Sequence, residues 1–219
     1  MESYLKPTRY VDITQEIREL AERLTKGSQN TVDMAIRIFN FVRDLKFGAS
    51  PIYKASEVLR NKDKPLICVS KAILQVSLYR SIGIPSRFHT WKVRLSDETI
   101  AKMNKLLFPD SKKKFRGNRT IYHVAAEVYL DRWITADATI DRGLSKIFDV
   151  SEWNGHDDYL LKGFTFLEDL GASEDIPQVV LDVTSGKGLP IYLRIIYPIL
   201  AKAFNKKLNA LLEEIRRDC

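Results

Sequence analysis

Three side chains of this sequence could together break an acyl bond. Cys68 offers a thiol nucleophile, His123 a proton carrier, and Asp137 a carboxylate to orient the imidazole. Taken singly, each has a duller reading. A lone cysteine is ordinarily a small buried hydrophobe. A strand histidine is ordinarily a hydrogen-bonded structural residue, and Asp137 could simply cap the chain as it leaves a strand. Cys68 differs from an arbitrary cysteine in its place. It opens a helical pattern, where backbone N–H groups lack partners and the macrodipole is positive, and that environment favours a thiolate. Asp141 competes with Asp137 for the orienting role, although it lies four residues further on. Glu127, two places along the strand face from His123, either buttresses the site or is solvated.

The element that must position the thiol is Pro65 to Pro85, PLICVSKAILQVSLYRSIGIP. Val69, Ala72, Ile73, Val76 and Tyr79 recur at helical spacing, and Leu74 and Leu78 make a second apolar face. A helix apolar on two sides is buried, so this one is predicted to be central. Gly83 suits the left-handed position after its last turn, and Pro85 stops it. The histidine belongs to IYHVAAEVYL and the aspartate to RWITADAT, two strand-like segments with a tight turn expected at Asp131–Arg132. Another strand is expected where Arg87, His89, Trp91, Val93 and Leu95 alternate with Phe88, Lys92 and Arg94.

Helices surround these pieces. Asp12 and Gln15 form a capping-box pattern ahead of the stripe Ile13, Ile17, Leu20, Ala21 and Leu24. A second helix follows Asn30, with Val32, Ala35, Ile36, Phe39, Val42 and Leu45 inward and Arg37, Asn40 and Arg43 outward. Short helices are expected at Ser56 to Leu59 and Asp97 to Leu107. From Gly143 onward the chain reads as mostly helical, with YLLKGFTFLEDL covering the sheet and Val179 to Val183 as a short strand. A last helix runs from near Leu189 to Arg217, with Ile191, Ile195, Ile199 and Phe204 near one face, and Pro198 should kink or split it. No repeat, low-complexity segment or linker divides the chain, which reads as one α+β domain over residues 1–219.

Composition narrows the classes. The chain is 45% hydrophobic and 29% charged, ordinary for a globular protein with a real core. No apolar run approaches the roughly 18 residues a membrane helix needs, and no basic-then-apolar leader opens the sequence. Two cysteines, Cys68 and Cys219, do not make a disulfide framework. A reducing cytoplasm is the expected setting, since it keeps a reactive thiol free. No clustered ligand spacing suggests a metal site. The formal charge of +7 is uneven. Lys112, Lys113, Lys114, Arg116 and Arg119 crowd one loop, which is either a solvated segment or a binding patch for an acidic partner or nucleic acid.

Three segments resemble, in order, the transglutaminase-like superfamily, the papain-related cysteine enzymes. IRIFNFVRDLKF resembles the helix before the active site. ASEVLRNKDKPLICVSKAILQVSLYRSIGIPSR resembles the nucleophile loop, helix and strand entry, and YHVAAEVYLDRWITADATID the hairpin that brings His and Asp. The resemblance spans a core of about residues 30–141. It implies a central nucleophile helix on an antiparallel sheet, with extra helices at both ends and a mostly helical extension over 143–219. It also implies a catalytic Cys68, His123 and Asp137, with Tyr53 as a second oxyanion donor beside the Cys68 N–H. The implied function is acyl transfer at amide or peptide bonds of a protein or peptide substrate, through a thioester and without a cofactor. Hydrolysis, as a protease or amidase, is favoured over transglutaminase-type or other acyltransfer. A non-enzymatic binding module using the basic insertion within residues 102–119 is the rival. His89 and His156 match no motif and receive no role. Where the family commonly has glycine two places before the nucleophile, this chain has Leu66, which is expected to alter how the loop meets substrate.

Overall fold

A computed structural model describes residues 1–107, 120–184 and 191–217. Lys112, Lys113, Lys114, Arg116, Arg119 and Cys219 lie outside the described residues, as do the side chains of Ile191 and Ile195.

The central element is the helix α4 (Cys68–Ser81), preceded in the chain by α1 (Gln15–Thr25), α2 (Thr31–Asp44), β1 (Phe47–Ser50) and α3 (Ala55–Arg60). Every α4 residue from Val69 to Arg80 is buried, as two apolar faces require. Gly83 follows with φ +80°, the left-handed conformation a helix end favours. Against α4 lies a four-stranded antiparallel sheet of β2 (Ser86–Leu95), β3 (Ile121–Leu130), β4 (Arg132–Ala136) and β5 (Phe164–Ser173), in the order β4-β3-β2-β5. Asp131 turns the chain between β3 and β4 with φ +69°. In the β2–β3 register Trp91 stands opposite His123. The main core joins α1, α2, α3 and α4 to Phe88, Val124, Ala126, Val128 and Ile134 of the sheet.

The remaining helices are α5 (Asp97–Leu107), α6 (Gln178–Thr184) and α7 (Ile191–Arg217). Leu208, Leu212 and Ile215 of α7 close a second core with Leu144, Ile147, Phe148 and Leu161. Among the described residues no helix is long and apolar enough to cross a membrane.

Several local expectations are corrected. Asp12 does not cap α1; Thr14 does, accepting from the Ile17 N–H. Asp12 accepts instead from the Ser56 N–H (2.9 Å), supplying α3 with the acceptor that its own N-cap residue Lys54 lacks. Arg43 points inward, where its guanidinium reaches Glu152 and the Ser151 carbonyl. The stretch expected to cover the sheet as a helix is strand β5, which adds to the open edge of β2. Its Phe–Thr–Phe–Leu run suits a pleated surface. Residues 179–183 belong to α6, begun after Pro177 and braced by a Gln178–Asp182 hydrogen bond one turn apart. The last helix is not split at Pro198, and Ile199 and Phe204 are exposed.

Candidate active site

The nucleophile turn is assembled from the sequence just before it. Leu66 donates its N–H to the Lys46 carbonyl (2.8 Å), and Ser50 donates to the Pro65 carbonyl (3.1 Å), so this segment is stitched to β1 like a short parallel strand. The bulk of Leu66 goes into the core, where it is fully buried. Leu66 thus anchors the loop from below. Ile67 is the N-cap and has no polar side chain, so the N–H groups of the first turn of α4, including that of Cys68, are not side-chain capped by it. Ser70, two residues on, both accepts from the Ile52 N–H (2.9 Å) and donates to the Ile52 carbonyl (2.7 Å). That pair of bonds fixes the loop carrying Tyr53 beside the nucleophile turn. Tyr53 and Cys68 both pack against the main core.

His123 lies mid-sheet and is 2% exposed. Its Nε2 is 2.7 Å from Asp137 Oδ2. Asp137 directly follows β4, and its carboxylate also accepts from the Thr139 N–H (3.2 Å) and the Leu161 N–H (3.1 Å). With Nε2 engaged by Asp137, Nδ1 is the nitrogen left over, and the Cys68 side chain lies near enough to the ring to favour its charge. Burial opposes charge on this imidazole. The Asp137 carboxylate and, after it, the Cys68 sulfur outweigh burial and raise the His123 pKa to about 10. Burial likewise opposes charge on Asp137, but the imidazolium, a hydrogen bond from the Thr139 side chain and the Leu161 amide hold its carboxyl below the usual range.

The structure therefore brings Cys68, His123 and Asp137 together from α4, β3 and the end of β4. It does not bring in the competitors. Asp141 accepts from the Phe47 and Gly143 N–H groups and pairs with Arg216 of α7. Glu127 binds Arg87 and His89, away from His123. His156 is exposed, and its carbonyl accepts from Arg132.

A family model described as the transglutaminase-like superfamily matches residues 18–138, more than half of the chain. The chain belongs to the transglutaminase-like superfamily. No curated protein matches the sequence. Among solved structures, a crystal structure of a "putative cysteine protease" from Cytophaga hutchinsonii superposes with a TM-score of 0.48 at 18% identity. The match covers 78% of this chain but only 46% of that one, so this chain spans about half the length of that neighbour.

For this transglutaminase-like chain, sequence reasoning missed the residues that clamp the imidazole. The Trp91 ring lies near-parallel to it at 6.1 Å and 24°, and the Phe164 ring at 5.7 Å and 18°. Trp91 was legible as part of the β2 alternation, but its partner across the sheet was not. Phe164 was hidden by the helical reading of β5. An imidazole so held, with a carboxylate on one nitrogen and a sulfur at the other, can store a proton taken from a thiol and deliver it along the same edge.

Proposed function

We propose that this chain is a cysteine enzyme that acts on amide or peptide bonds through a thioester on Cys68, with water as the usual acceptor. The observation that supports this best is the single buried imidazole held between the Asp137 carboxylate and the Cys68 sulfur. In this reading the Cys68 thiolate attacks the substrate carbonyl, and the electron pair of the C=O bond moves to oxygen. The Cys68 N–H at the start of α4 receives that oxyanion, and Tyr53 is the proposed second donor. As the C–N bond breaks, the His123 imidazolium gives its proton to the departing amine. The neutral imidazole then takes a proton from water, whose oxygen attacks the thioester. Thiolate leaves, the acid is released, and the imidazolium is restored. Asp137 keeps the ring in one tautomer and one orientation throughout.

A panel of peptides and amides incubated with the intact protein tests this by mass spectrometry. New carboxyl termini are expected with the wild type and not with Cys68→Ala, and iodoacetamide should label Cys68 ahead of Cys219. Adding a primary amine separates hydrolysis from transfer, since an acyltransferase would give amine adducts in place of the acid. Equal, slow labelling of both thiols together with intact peptides would end the enzymatic reading.

A further inference from the structure

Helix α4 is apolar on two faces, yet it carries a buried polar row one turn apart, Lys71, Gln75 and Tyr79. Lys71 is 1% exposed. Its ammonium donates to three carbonyls, those of Arg43 (3.0 Å), Leu45 (2.8 Å) and Thr139 (2.7 Å). Arg43 and Leu45 end α2, where the last carbonyls have no intrahelical partner and the dipole is negative. Thr139 lies two residues past Asp137 and donates its N–H to that carboxylate. Gln75 donates to the Ala136 carbonyl (2.9 Å), the residue just before Asp137, and to the Tyr79 hydroxyl (3.2 Å). Tyr79 in turn donates to the Ala35 carbonyl in α2 (3.1 Å). Lys71 and Gln75 thus grip Asp137 from both sides, by Thr139 and by Ala136, and they project from the helix that begins with Cys68.

We infer that Lys71 and Gln75 are positioning residues that hold the Asp137 segment in register with the nucleophile end of α4. The inference rests on the acyl-transfer reading of the site. Neither side chain touches the reacting atoms. Their effect passes through Asp137 and the imidazole it orients. Three carbonyls match the three N–H bonds of an ammonium, whereas a neutral amine has only two. Burial pulls the Lys71 pKa down to about 7. The carboxylates of Asp141, Asp137 and Asp44 favour the charge, and the Arg216 guanidinium opposes it. The carbonyl cradle is that of the charged form, and it places a cation beneath two buried aspartates. A neutral residue there leaves three buried carbonyls unpaired and frees the loop that carries Asp137.

The test is the pH profile of Cys68 alkylation by iodoacetamide, from pH 5.5 to 9.5, on the full chain. With Lys71→Met we expect about a tenfold slower rate than wild type at pH 6 and a rate within about twofold at pH 9.5, because misplacing Asp137 weakens the imidazolium beside the Cys68 sulfur. Gln75→Leu should shift the profile the same way by about threefold, and Lys71→Arg, which keeps charge and donors, should restore most of the rate. A purely structural role would lower the melting temperature and leave the profile unchanged; that result overturns the inference. If Lys71→Met does not fold, Gln75→Leu and Lys71→Arg decide by the same criterion. If none of the three folds, the row belongs to folding and the inference is likewise overturned. A wild-type profile no different from that of His123→Gln would sink the acyl-transfer reading itself. A difference there, with none for the α4 variants, sinks only this inference.

Discussion

His123 on β3 and His89 on β2 are both gripped by carboxylates on the same face of one sheet, and Trp91 lies between them. The His89 ring is flat on Trp91, 4.0 Å away with a 3° tilt, and Trp91 lies near-parallel to His123. Their nitrogens are filled differently. His89 has Glu127 2.7 Å from Nδ1 and Asp169 2.7 Å from Nε2. Both N–H groups of its imidazolium are taken up by carboxylates, so neither nitrogen faces a nucleophile. His123 has one carboxylate and one sulfur. The group beside its second nitrogen is a potential nucleophile and not a second carboxylate. Solvent also separates the two, since Asp169 is 62% exposed and the His123–Asp137 pair is closed to water. The lesson is that a histidine–carboxylate pair alone does not mark a reactive site. What faces the remaining nitrogen does.

The largest expected effect follows from that difference. Glutamine keeps a donor for a carboxylate but carries no titratable proton, so it replaces each histidine in turn. At pH 5.5 an ordinary thiol is only about 0.1% ionised. His123→Gln should therefore slow Cys68 alkylation at that pH on the order of 10²-fold, whereas His89→Gln should leave it within about twofold. Comparable losses in both variants would break the comparison and make the whole ring stack, not the sulfur-facing nitrogen, the source of reactivity.

The pH dependence of stability sharpens the same contrast. The His123 pKa is raised in the folded state to about 10 from an ordinary 6.5. A raised pKa means that the folded chain holds the proton more tightly. Its contribution is therefore full below about pH 6.5 and is lost as pH rises through about 10. The Asp137 carboxyl is lowered, so its contribution is present above the ordinary carboxylate range and fades as pH falls through the lowered value. The pair is thus worth most between about pH 4 and 6.5. Urea unfolding should show the gap between wild type and His123→Gln narrowing steadily from pH 6.5 to 10. Burial lowers the His89 pKa, but its two carboxylates win and raise it, so its contribution has the same sign. It should be the smaller of the two, because partial exposure screens it. A gap for His123→Gln that does not change with pH would mean that the buried imidazole is neutral.

Much of this arrangement was legible because local chemistry decided it. Gly83 ends α4 where a left-handed residue was expected, and the Asp97–Leu107 helix and the β3–β4 turn at Asp131 stand where pattern and turn residues put them. Cys68, His123 and Asp137 could be named as candidates because each lies at an element boundary or on a regular strand. The errors came where tertiary partners override local preference. β5 is a strand because the edge of β2 is open beside it, and Arg43 is buried because Glu152 waits more than a hundred residues away. The Lys71–Gln75 row was invisible for a related reason. A lysine in an apolar helix looks like an intruder until the carbonyls at the end of α2 are seen to surround it.

Trp91 is the ring that the two histidine regions share, and it carries the smallest expected effect. Trp91→Phe keeps an apolar ring in the buried stack but loses area, which should cost about 1–2 kcal/mol of stability. His89 lies closest to that ring, so most of the lost stacking belongs to its side of the sheet. A double-mutant cycle by urea unfolding should then give Trp91→Phe and His89→Gln a coupling of about 0.5–1.5 kcal/mol. Cys68 alkylation should change by less than about threefold, because Asp137 and Phe164 still hold the His123 ring in place. A tenfold loss of reactivity with no coupling to His89 would reverse the assignment. Trp91 would then belong to the reactive imidazole, and the carboxylate on Nε2 would not suffice to orient it.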